Sequence, residues 1–287
     1  MTNALGQPDT PLEARIRLSH AYFQNLANKN SIDLLHIKGY AFGTDTYREK
    51  RKSSDVDILV RPAHVARLMY LLQADGWRIL THFETGSIFE HAATLYHPSW
   101  GLADVHRYFP GIGYFDRALA FDKLWSTRRT KDIAHFPCDV PSVVDARVIV
   151  VVHGARSFAP KHPDVEHLQR SLKPADWQQM RQRAEELDCM VAFDTALGNI
   201  EHHANHPHYL LWKSVSTRMP SYVQWKARLS LEEKLSEKLR ILHQIISVNE
   251  DHLAMKLGHE PSADERRELF FGRFALLRAQ RKSRRKG

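Results

Sequence analysis

Apolar and polar residues alternate along several short stretches in the first half of the chain, and this period-two pattern predicts β-strands. The predicted strands are residues 32–37, 53–60, 77–83, 88–96 and 102–109. Apolar positions at helical spacing predict one helix over residues 12–27 and another between Arg61-Pro62 and Asp75-Gly76. The first half of the chain is therefore predicted to form a small mixed sheet with helices.

Helical spacing replaces alternation beyond about residue 140. Residues 143–152 are apolar nearly all round, which is typical of a central buried helix, and residues 174–187 carry an apolar stripe. The fold class predicted is α+β, with an all-helical domain after the mixed sheet. We place the domains at residues 1–138 for the sheet with its N-terminal helix, 139–260 for the helical domain, and 261–287 for an amphipathic helix and basic tail.

Two serines stand three residues before a glutamate, which is the spacing of a helix capping box. Ser230 with Glu233 predicts the start of a helix that ends at Gly258. Ser262 with Glu265 predicts the start of the last helix.

Composition is that of an ordinary globular protein: 287 residues, of which 43% are apolar and 26% charged. Cys138 and Cys189 are the two cysteines, without CxxC spacing, so neither a disulfide framework nor a zinc ribbon is indicated. The first residues lack a signal pattern, and no stretch is long and apolar enough to cross a bilayer. We expect an unprocessed cytoplasmic protein with no membrane partner; nothing in the sequence predicts its oligomeric state.

The formal net charge of +8 indicates polyanionic partners such as nucleotides, nucleic acid or a membrane surface. Much of this charge lies at the C-terminus, in Arg278, Arg281, Lys282, Arg284, Arg285 and Lys286. No aromatic residue interleaves these side chains for base stacking, which favours a solvated tail over an RNA contact.

The stretch KSSDVDILV places two acids in a predicted strand. On strand alternation Asp55 and Asp57 share one face, and Val56 and Ile58 face the core. Adjacent carboxylates repel unless a cation or donors lie between them. Divalent magnesium suits such a pair, although the two acids would also fit a strand end that caps a turn or pairs with Arg51.

A third acid occurs in the strand-like run LADVHRYF. Alternation puts Asp104 on one face with His106, so the three acids converge if this strand neighbours the first. An ordinary salt bridge is the alternative for Asp104. His106 would orient Asp104, contact a phosphate, or serve a structural role.

Phosphate groups need cations or backbone donors as partners. Lys38 and Gly39 follow the first predicted strand, and Gly39 would allow the backbone to approach a triphosphate. Arg51 or Lys52, just before the acidic strand, would add positive charge.

Taken together and in this order, three motifs resemble the uncharacterised nucleotidyltransferase family of the DNA-polymerase-β-like superfamily. They are Lys38-Gly39, an Asp-x-Asp at 55 and 57 preceded by Arg51, and an Asp-x-His at 104 and 106. The run DWQQMRQRAEELDC resembles the helical half of the family, so the likeness spans roughly residues 15 to 200. Tyr40 departs from the pattern, because the superfamily usually has serine or glycine there.

The resemblance implies a polymerase-β-like fold and transfer of a nucleoside monophosphate from an NTP to an acceptor hydroxyl, with two Mg²⁺ or Mn²⁺ ions. Asp55 and Asp57 would ligate both ions, and Asp104 would complete the coordination of one ion and act as general base. Lys38, Gly39, Arg51 and His106 would bind the nucleotide. The acceptor would be RNA, a protein, or a small molecule such as a sugar or antibiotic.

Two other functions use similar residues. A non-catalytic module with this fold would bind nucleotide or nucleic acid through its basic surface. A metal-dependent phosphohydrolase also uses carboxylates, but the chain lacks a supporting His-Asp metal motif.

Histidines outside these motifs have structural interpretations as well as functional ones. The run EHHANHPHY has no acid or cysteine at a fixed ligand spacing, which favours a solvated loop. In VVHGAR, His153 and Arg156 either face the cleft between the two parts or form the polar end of a helix.

Overall fold

A computed structural model of the chain describes residues 10–49, 52–157, 162–247 and 249–271. Its strands are β1 (Leu34–Ile37), β2 (Asp55–Val60), β3 (Arg78–Thr81), β4 (Ala92–His97), β5 (Gly101–His106), β6 (Arg129–Ile133) and β7 (Phe136–Val140). Its first six helices are α1 (Leu12–Lys29), α2 (Val65–Ala74), α3 (Phe83–Gly86), α4 (Arg117–Ser126), α5 (Val143–Gly154) and α6 (Pro163–Ser171). The remaining ones are α7 (Pro174–Glu186), α8 (Met190–Ala196), α9 (Tyr209–Ser216), α10 (Ser221–Leu231), α11 (Leu235–Ile246) and α12 (Glu250–Leu257), and residues 263–271 are also helical.

Five strands form a mixed sheet in the order β1-β2-β5-β4-β3. The central pair, β2 and β5, is parallel, and the other neighbouring strands are antiparallel. Parallel neighbours need a long connection, which here consists of α2, β3, α3 and β4. This connection brings Asp57 and Asp104 into register on adjacent strands.

Alternation along β2 and β5 gives the sheet two different faces. One face packs Val56, Ile58 and Val105 into a core with residues of α1 and α2, such as Phe23 and Leu68. The opposite face carries the polar side chains of Asp57, Asp104 and His106. Elsewhere on that face Ile37 and Leu59 join the core of the helical half.

The helical half is built around α5, whose apolar circumference is buried as its sequence predicts. Val148 and Val152 lie in one core with Ile37, Leu59 and Trp212. The sheet and the helices therefore share a hydrophobic core, and the domain boundaries given above stay predictions.

A two-stranded hairpin, β6 and β7, connects the sheet to α5 and packs against β1 and α1. Neither this hairpin nor the helix α4 before it was predicted from the sequence. The hairpin turn is formed by Ala134 and His135, with φ of +53° and +60°. Such a turn normally carries Asn or Gly, so the usual sequence signal is missing.

The C-terminal helices return to the sheet half. Arg228 of α10 and Arg240 of α11 both pair with the buried Glu90, each at 2.7 Å. Asp251 of α12 accepts a hydrogen bond from the backbone N–H of His82 at 2.9 Å. These contacts hold the segment before β4 between the two halves of the molecule.

The α+β class is confirmed, and several predicted boundaries are wrong. The predicted strand over 88–96 begins only at Ala92, because Glu90 has a φ of +51° and closes a turn with Ser87. The strand predicted over 77–83 ends at Thr81, where α3 soon follows, and the strand over 102–109 ends at His106.

One predicted capping box is confirmed and one is wrong. The Ser262 amide donates to Glu265 at 2.8 Å, and the Glu265 amide donates to Ser262 Oγ at 3.3 Å. Ser230 instead lies inside α10, with its hydroxyl donating to the Ala227 carbonyl at 2.7 Å. The helix predicted to run to Gly258 is divided into α11 and α12.

No helix in the described ranges is both long and apolar enough to cross a membrane. The six basic residues of the predicted tail all lie outside the described residues.

Candidate active site

The polar part of the sheet lies where β2 and β5 run side by side. Asp57 and Asp104 are Cα partners in the parallel ladder, and His106 pairs with Leu59 two positions further. Thr94 of β4 pairs with Asp104 from the other side. Three neighbouring strands thus supply side chains to one small area.

Asp57 is almost fully buried, and one of its oxygens, Oδ1, accepts two hydrogen bonds. The Lys38 ammonium donates one of them, forming an ion pair, and His106 Nε2 donates the other at 2.9 Å. Burial disfavours the charged form, but Lys38 and His106 outweigh it and hold the pKa of Asp57 below its ordinary value. Asp57 is therefore a carboxylate at neutral pH.

Lys38 reaches Asp57 because the chain turns sharply after β1. Its φ is +63°, and that of Gly39 is +50°. Positive φ is uncommon for a residue with a side chain, and such strained positions concentrate at functional sites. The turn places the Lys38 ammonium beside the Asp57 carboxylate.

Gly39 has both a conformational and a steric reason to be glycine. A Cβ at this position would lie 2.7 Å from Ser53 Oγ and 3.2 Å from Ser53 Cβ. Beside it, a cleft of about 430 Å³ is lined by Arg17, Tyr40 and Lys52, among others. The predicted site residue Arg51 lies outside the described residues.

Asp104 differs from Asp57 in its partners. Its Oδ1 accepts a hydrogen bond from Thr94 Oγ1 at 2.7 Å, and no salt bridge to it occurs among the described residues. Burial and the charge of Asp57 raise the pKa of Asp104 to about 6, although the Thr94 hydrogen bond acts in the opposite direction. The ordinary salt bridge considered as the alternative for Asp104 is therefore not found within the described ranges.

His106 contacts Asp57 rather than Asp104. Burial and the charge of Lys38 lower the pKa of His106 to about 4, despite the favourable charge of Asp57. The ring is therefore neutral at pH 7, and Nε2 carries the proton because a carboxylate only accepts. Nδ1 is buried and has no hydrogen-bond partner among the described residues.

Asp57, Asp104 and His106 each offer one ligand atom, and these atoms lie within 4.8 Å of one another. Two carboxylates on a basic protein suit Mg²⁺ or Mn²⁺, which prefer oxygen ligands. Asp55 is outside this cluster of described residues, and its carboxylate accepts a hydrogen bond from Ser54 Oγ at 3.3 Å. Asp55 shares the strand face with Asp57, and the charge of Asp55 contributes to the raised pKa of Asp104.

Thr94 was not predicted from the sequence as a partner of Asp104. The predicted strand over 88–96 contains this residue, but its hydrogen bond follows from the β4–β5 register, which alternation alone does not fix. His91 and Arg156 lie near the acidic group and are described below.

Comparison with known proteins agrees with the motifs. The profile of a family described as uncharacterised nucleotidyltransferase matches residues 19–205, which is more than half of the chain. No match was found among curated proteins.

Three solved structures are similar at low identity. The lincosamide antibiotic adenylyltransferase LnuA, bound to lincomycin, is 16% identical over 57% of this chain and 93% of its own, with a TM-score of 0.35. The antibiotic-resistance factor ANT(2'')-Ia is 14% identical over 67% of this chain and 97% of its own, with a TM-score of 0.38. An antigenic nucleotidyltransferase-like protein from Paracoccidioides brasiliensis is 12% identical over 67% of this chain and 91% of its own, with a TM-score of 0.36.

Proposed function

Because the chain belongs to the uncharacterised nucleotidyltransferase family, we propose that it transfers a nucleoside monophosphate from a nucleoside triphosphate to an acceptor hydroxyl. The observation that carries this proposal is the close group of Asp57, Asp104 and His106, formed by the register of two parallel strands. Mg²⁺ or Mn²⁺ held by these residues would neutralise the triphosphate and lower the pKa of the attacking hydroxyl.

Asp57 and Asp104 have different tasks in this reaction. Asp57 is ionised and buried, which suits a permanent ligand of the cation. Asp104 has a pKa of about 6, close to neutral, which suits a group that takes a proton and releases it again. Asp55 is proposed as the further carboxylate ligand, because it lies on the same strand face.

The proposed step forms a bond between the acceptor oxygen and the α-phosphorus. The bond from the α-phosphorus to the bridging oxygen breaks, and pyrophosphate leaves with both electrons of that bond. The proton of the acceptor hydroxyl passes to Asp104 and then to solvent. No covalent enzyme intermediate is required, since positioning and charge neutralisation carry most transfers of this type.

Lys38 has two roles in the proposal. In the absence of nucleotide its ammonium compensates Asp57. When cation and triphosphate bind, the ammonium would turn from Asp57 to a phosphate oxygen, with the Gly39 amide beside it. Arg51 is proposed as additional positive charge. His106 would keep Asp57 oriented through the hydrogen bond from its Nε2–H.

The test is incubation with each of the four labelled NTPs, Mg²⁺ and a cell extract, followed by separation into RNA, protein and small molecules. Label in one class, absent with Asp104→Asn, supports the transfer and identifies the acceptor. NTP binding that requires the divalent ion, without label in any class, would instead establish a non-catalytic nucleotide-binding module. Equal labelling by the wild type and Asp104→Asn would overturn the role of Asp104.

A further inference from the structure

A cationic group lies between the acidic site and the helical half. Arg156, just after α5, donates through one terminal nitrogen to His91 Nε2 at 2.9 Å and through the other to His153 Nδ1 at 2.9 Å. His91 precedes β4, and His153 lies in the last turn of α5. We call these three residues the Arg156 cluster.

The hydrogen bonds fix the tautomers of both histidines. A guanidinium only donates, so His91 Nε2 and His153 Nδ1 must be the unprotonated nitrogens. His91 Nδ1 then donates to Ser87 Oγ at 2.9 Å. Burial and the charge of Arg156 hold the pKa of both histidines well below the ordinary value. The partners of Arg156 are therefore neutral.

The charge of Arg156 is consequently not cancelled by its partners. No carboxylate lies within salt-bridge distance of it in the described part of the chain, and its Nε is buried without a hydrogen-bond partner there. Burial lowers the pKa of Arg156 only to about 10, so the group stays charged at neutral pH. Two of its five N–H donors are used, and a partly buried charge of this kind is costly until an anion joins it.

The Arg156 cluster adjoins the acidic site. The rings of His91 and His106 are 5.1 Å apart, and the Arg156 guanidinium lies 5.7 Å from the centre of the Phe109 ring. The negative charges of Asp57 and Asp104 both act on Arg156. The carboxylates thus have Lys38 on the strand side and Arg156 on the helical side.

We propose that the Arg156 cluster binds a phosphate group of the nucleoside triphosphate, with the neutral imidazoles holding the guanidinium in position. The remaining N–H donors of Arg156 match phosphate oxygens in geometry and charge. The identity of this ligand rests on the proposed function, whereas the existence of an anion site does not. The other interpretation is that Arg156 only offsets the charge of Asp57 and Asp104.

The first test measures binding of inorganic pyrophosphate by calorimetry in the presence of EDTA. We expect Arg156→Gln to weaken this binding about 10- to 100-fold, because charged hydrogen bonds to the anion are lost. Arg170→Gln is the matched control: it also removes one positive charge, but the Arg170 side chain is 77% exposed and forms a surface ion pair with Glu166. Unchanged pyrophosphate affinity in Arg156→Gln, with altered Mn²⁺ affinity, would show that Arg156 merely offsets charge.

A second test avoids the risk that the variant does not fold. Wild-type protein is treated with phenylglyoxal, which modifies arginine, and modified peptides are mapped with and without pyrophosphate. Protection of Arg156 by pyrophosphate, but not by adenosine, is expected, and equal modification in all samples would overturn the proposal. If pyrophosphate binding depends on Arg156 but the protein shows no transferase activity, the anion site is supported and the proposed function fails. Transfer with an unchanged KM for NTP in Arg156→Gln would overturn the assignment of this site to the triphosphate, while the proposed function would stand.

Discussion

The two faces of the central strands β2 and β5 differ in polarity: one is apolar, and the other carries acids. Ile58 and Val105 are partners in the β2–β5 ladder, and both are fully buried against α1 and α2. One position earlier in the same ladder, Asp57 and Asp104 are partners on the opposite face. The same register therefore joins two apolar side chains on one face and two acids on the other.

This difference shows how a fold sustains an unfavourable arrangement. Full burial of a Val or Ile side chain contributes about 1.5–3 kcal/mol, and the apolar face has many of them. The acidic face opposes the same pairing, since the charge of Asp57 contributes to the raised pKa of Asp104. The apolar face holds the strands in register, and the register brings the two acids together.

The largest expected effect comes from substituting two adjacent residues of β5, one on each face of the sheet. Asp104→Asn keeps a partner for Thr94 and should lower kcat/KM for transfer about 1000-fold, which corresponds to about 4 kcal/mol of transition-state stabilisation. Val105→Ala removes buried methyl groups and should lower the free energy of unfolding by roughly 2 kcal/mol, with kcat largely retained. Steady-state kinetics and urea denaturation of both variants provide the measurement. A variant that loses both properties equally would contradict the separation of the faces.

The next effect concerns the cation that balances the acidic face. Lys38→Met leaves the buried Asp57 with His106 alone, so the free energy of unfolding in EDTA should fall by about 3 kcal/mol. Added Mn²⁺ should restore stability, and by more than it stabilises the wild type, because it replaces the missing ammonium. Chemical denaturation with and without Mn²⁺ measures both quantities.

Lys213→Met is the matched control for this comparison. Lys213 pairs with Glu201 at 2.7 Å at the surface, where the side chain of Glu201 is 63% exposed. Its loss should leave the free energy of unfolding nearly unchanged, with no dependence on Mn²⁺, because solvent screens an exposed ion pair. An equal response of both variants to Mn²⁺ would show that Lys38 does not occupy a cation position.

The smallest effect is a pH dependence in metal-free buffer. The pKa of Asp104 is raised from 3.8 to about 6 in the folded protein, so the folded state binds more protons than the unfolded state in this window. The contribution of Asp104 to stability is present below pH 4 and is lost as the pH rises through 6, amounting to roughly 2 kcal/mol. Asp57 has a lowered pKa, so its contribution is lost only when the pH falls below about 4.

Denaturation of the wild type and Asp104→Asn from pH 4 to 8 in EDTA measures this dependence. The wild type should lose stability relative to the variant as the pH rises. Parallel curves would indicate that Asp104 titrates near its ordinary value in the folded protein.

Much of the sheet was predictable because alternation has a simple physical cause. Val56 and Ile58 were expected to face a core, and they do. The convergence of Asp57 with Asp104 depended on which strands are neighbours, and the structure places β2 beside β5. The roles of Asp55, Asp57, Asp104 and the nucleotide-binding residues stay predictions.

The contacts within the site were beyond the sequence patterns. The pairing of Lys38 with Asp57 requires a turn at positive φ, and the hydrogen bond from His106 to Asp57 requires the exact register of a parallel pair. Arg156 is a further example, because one of its partners, His91, precedes β4 and the other, His153, lies in α5. Such contacts depend on tertiary packing, whereas capping and periodicity act locally.

The topology of the sheet also bears on the order in which the protein folds. Lys38 and Asp57 are 19 residues apart, His106 and Asp57 are 49 apart, and Arg156 and His91 are 65 apart. Closing a longer loop costs more conformational entropy, and distant contacts form more slowly. We expect pulsed hydrogen exchange to show protection of the β1–β2 hairpin amides before those of β5, and simultaneous protection would contradict this order. During folding, Asp57 would then pair with Lys38 before Asp104 reaches the site.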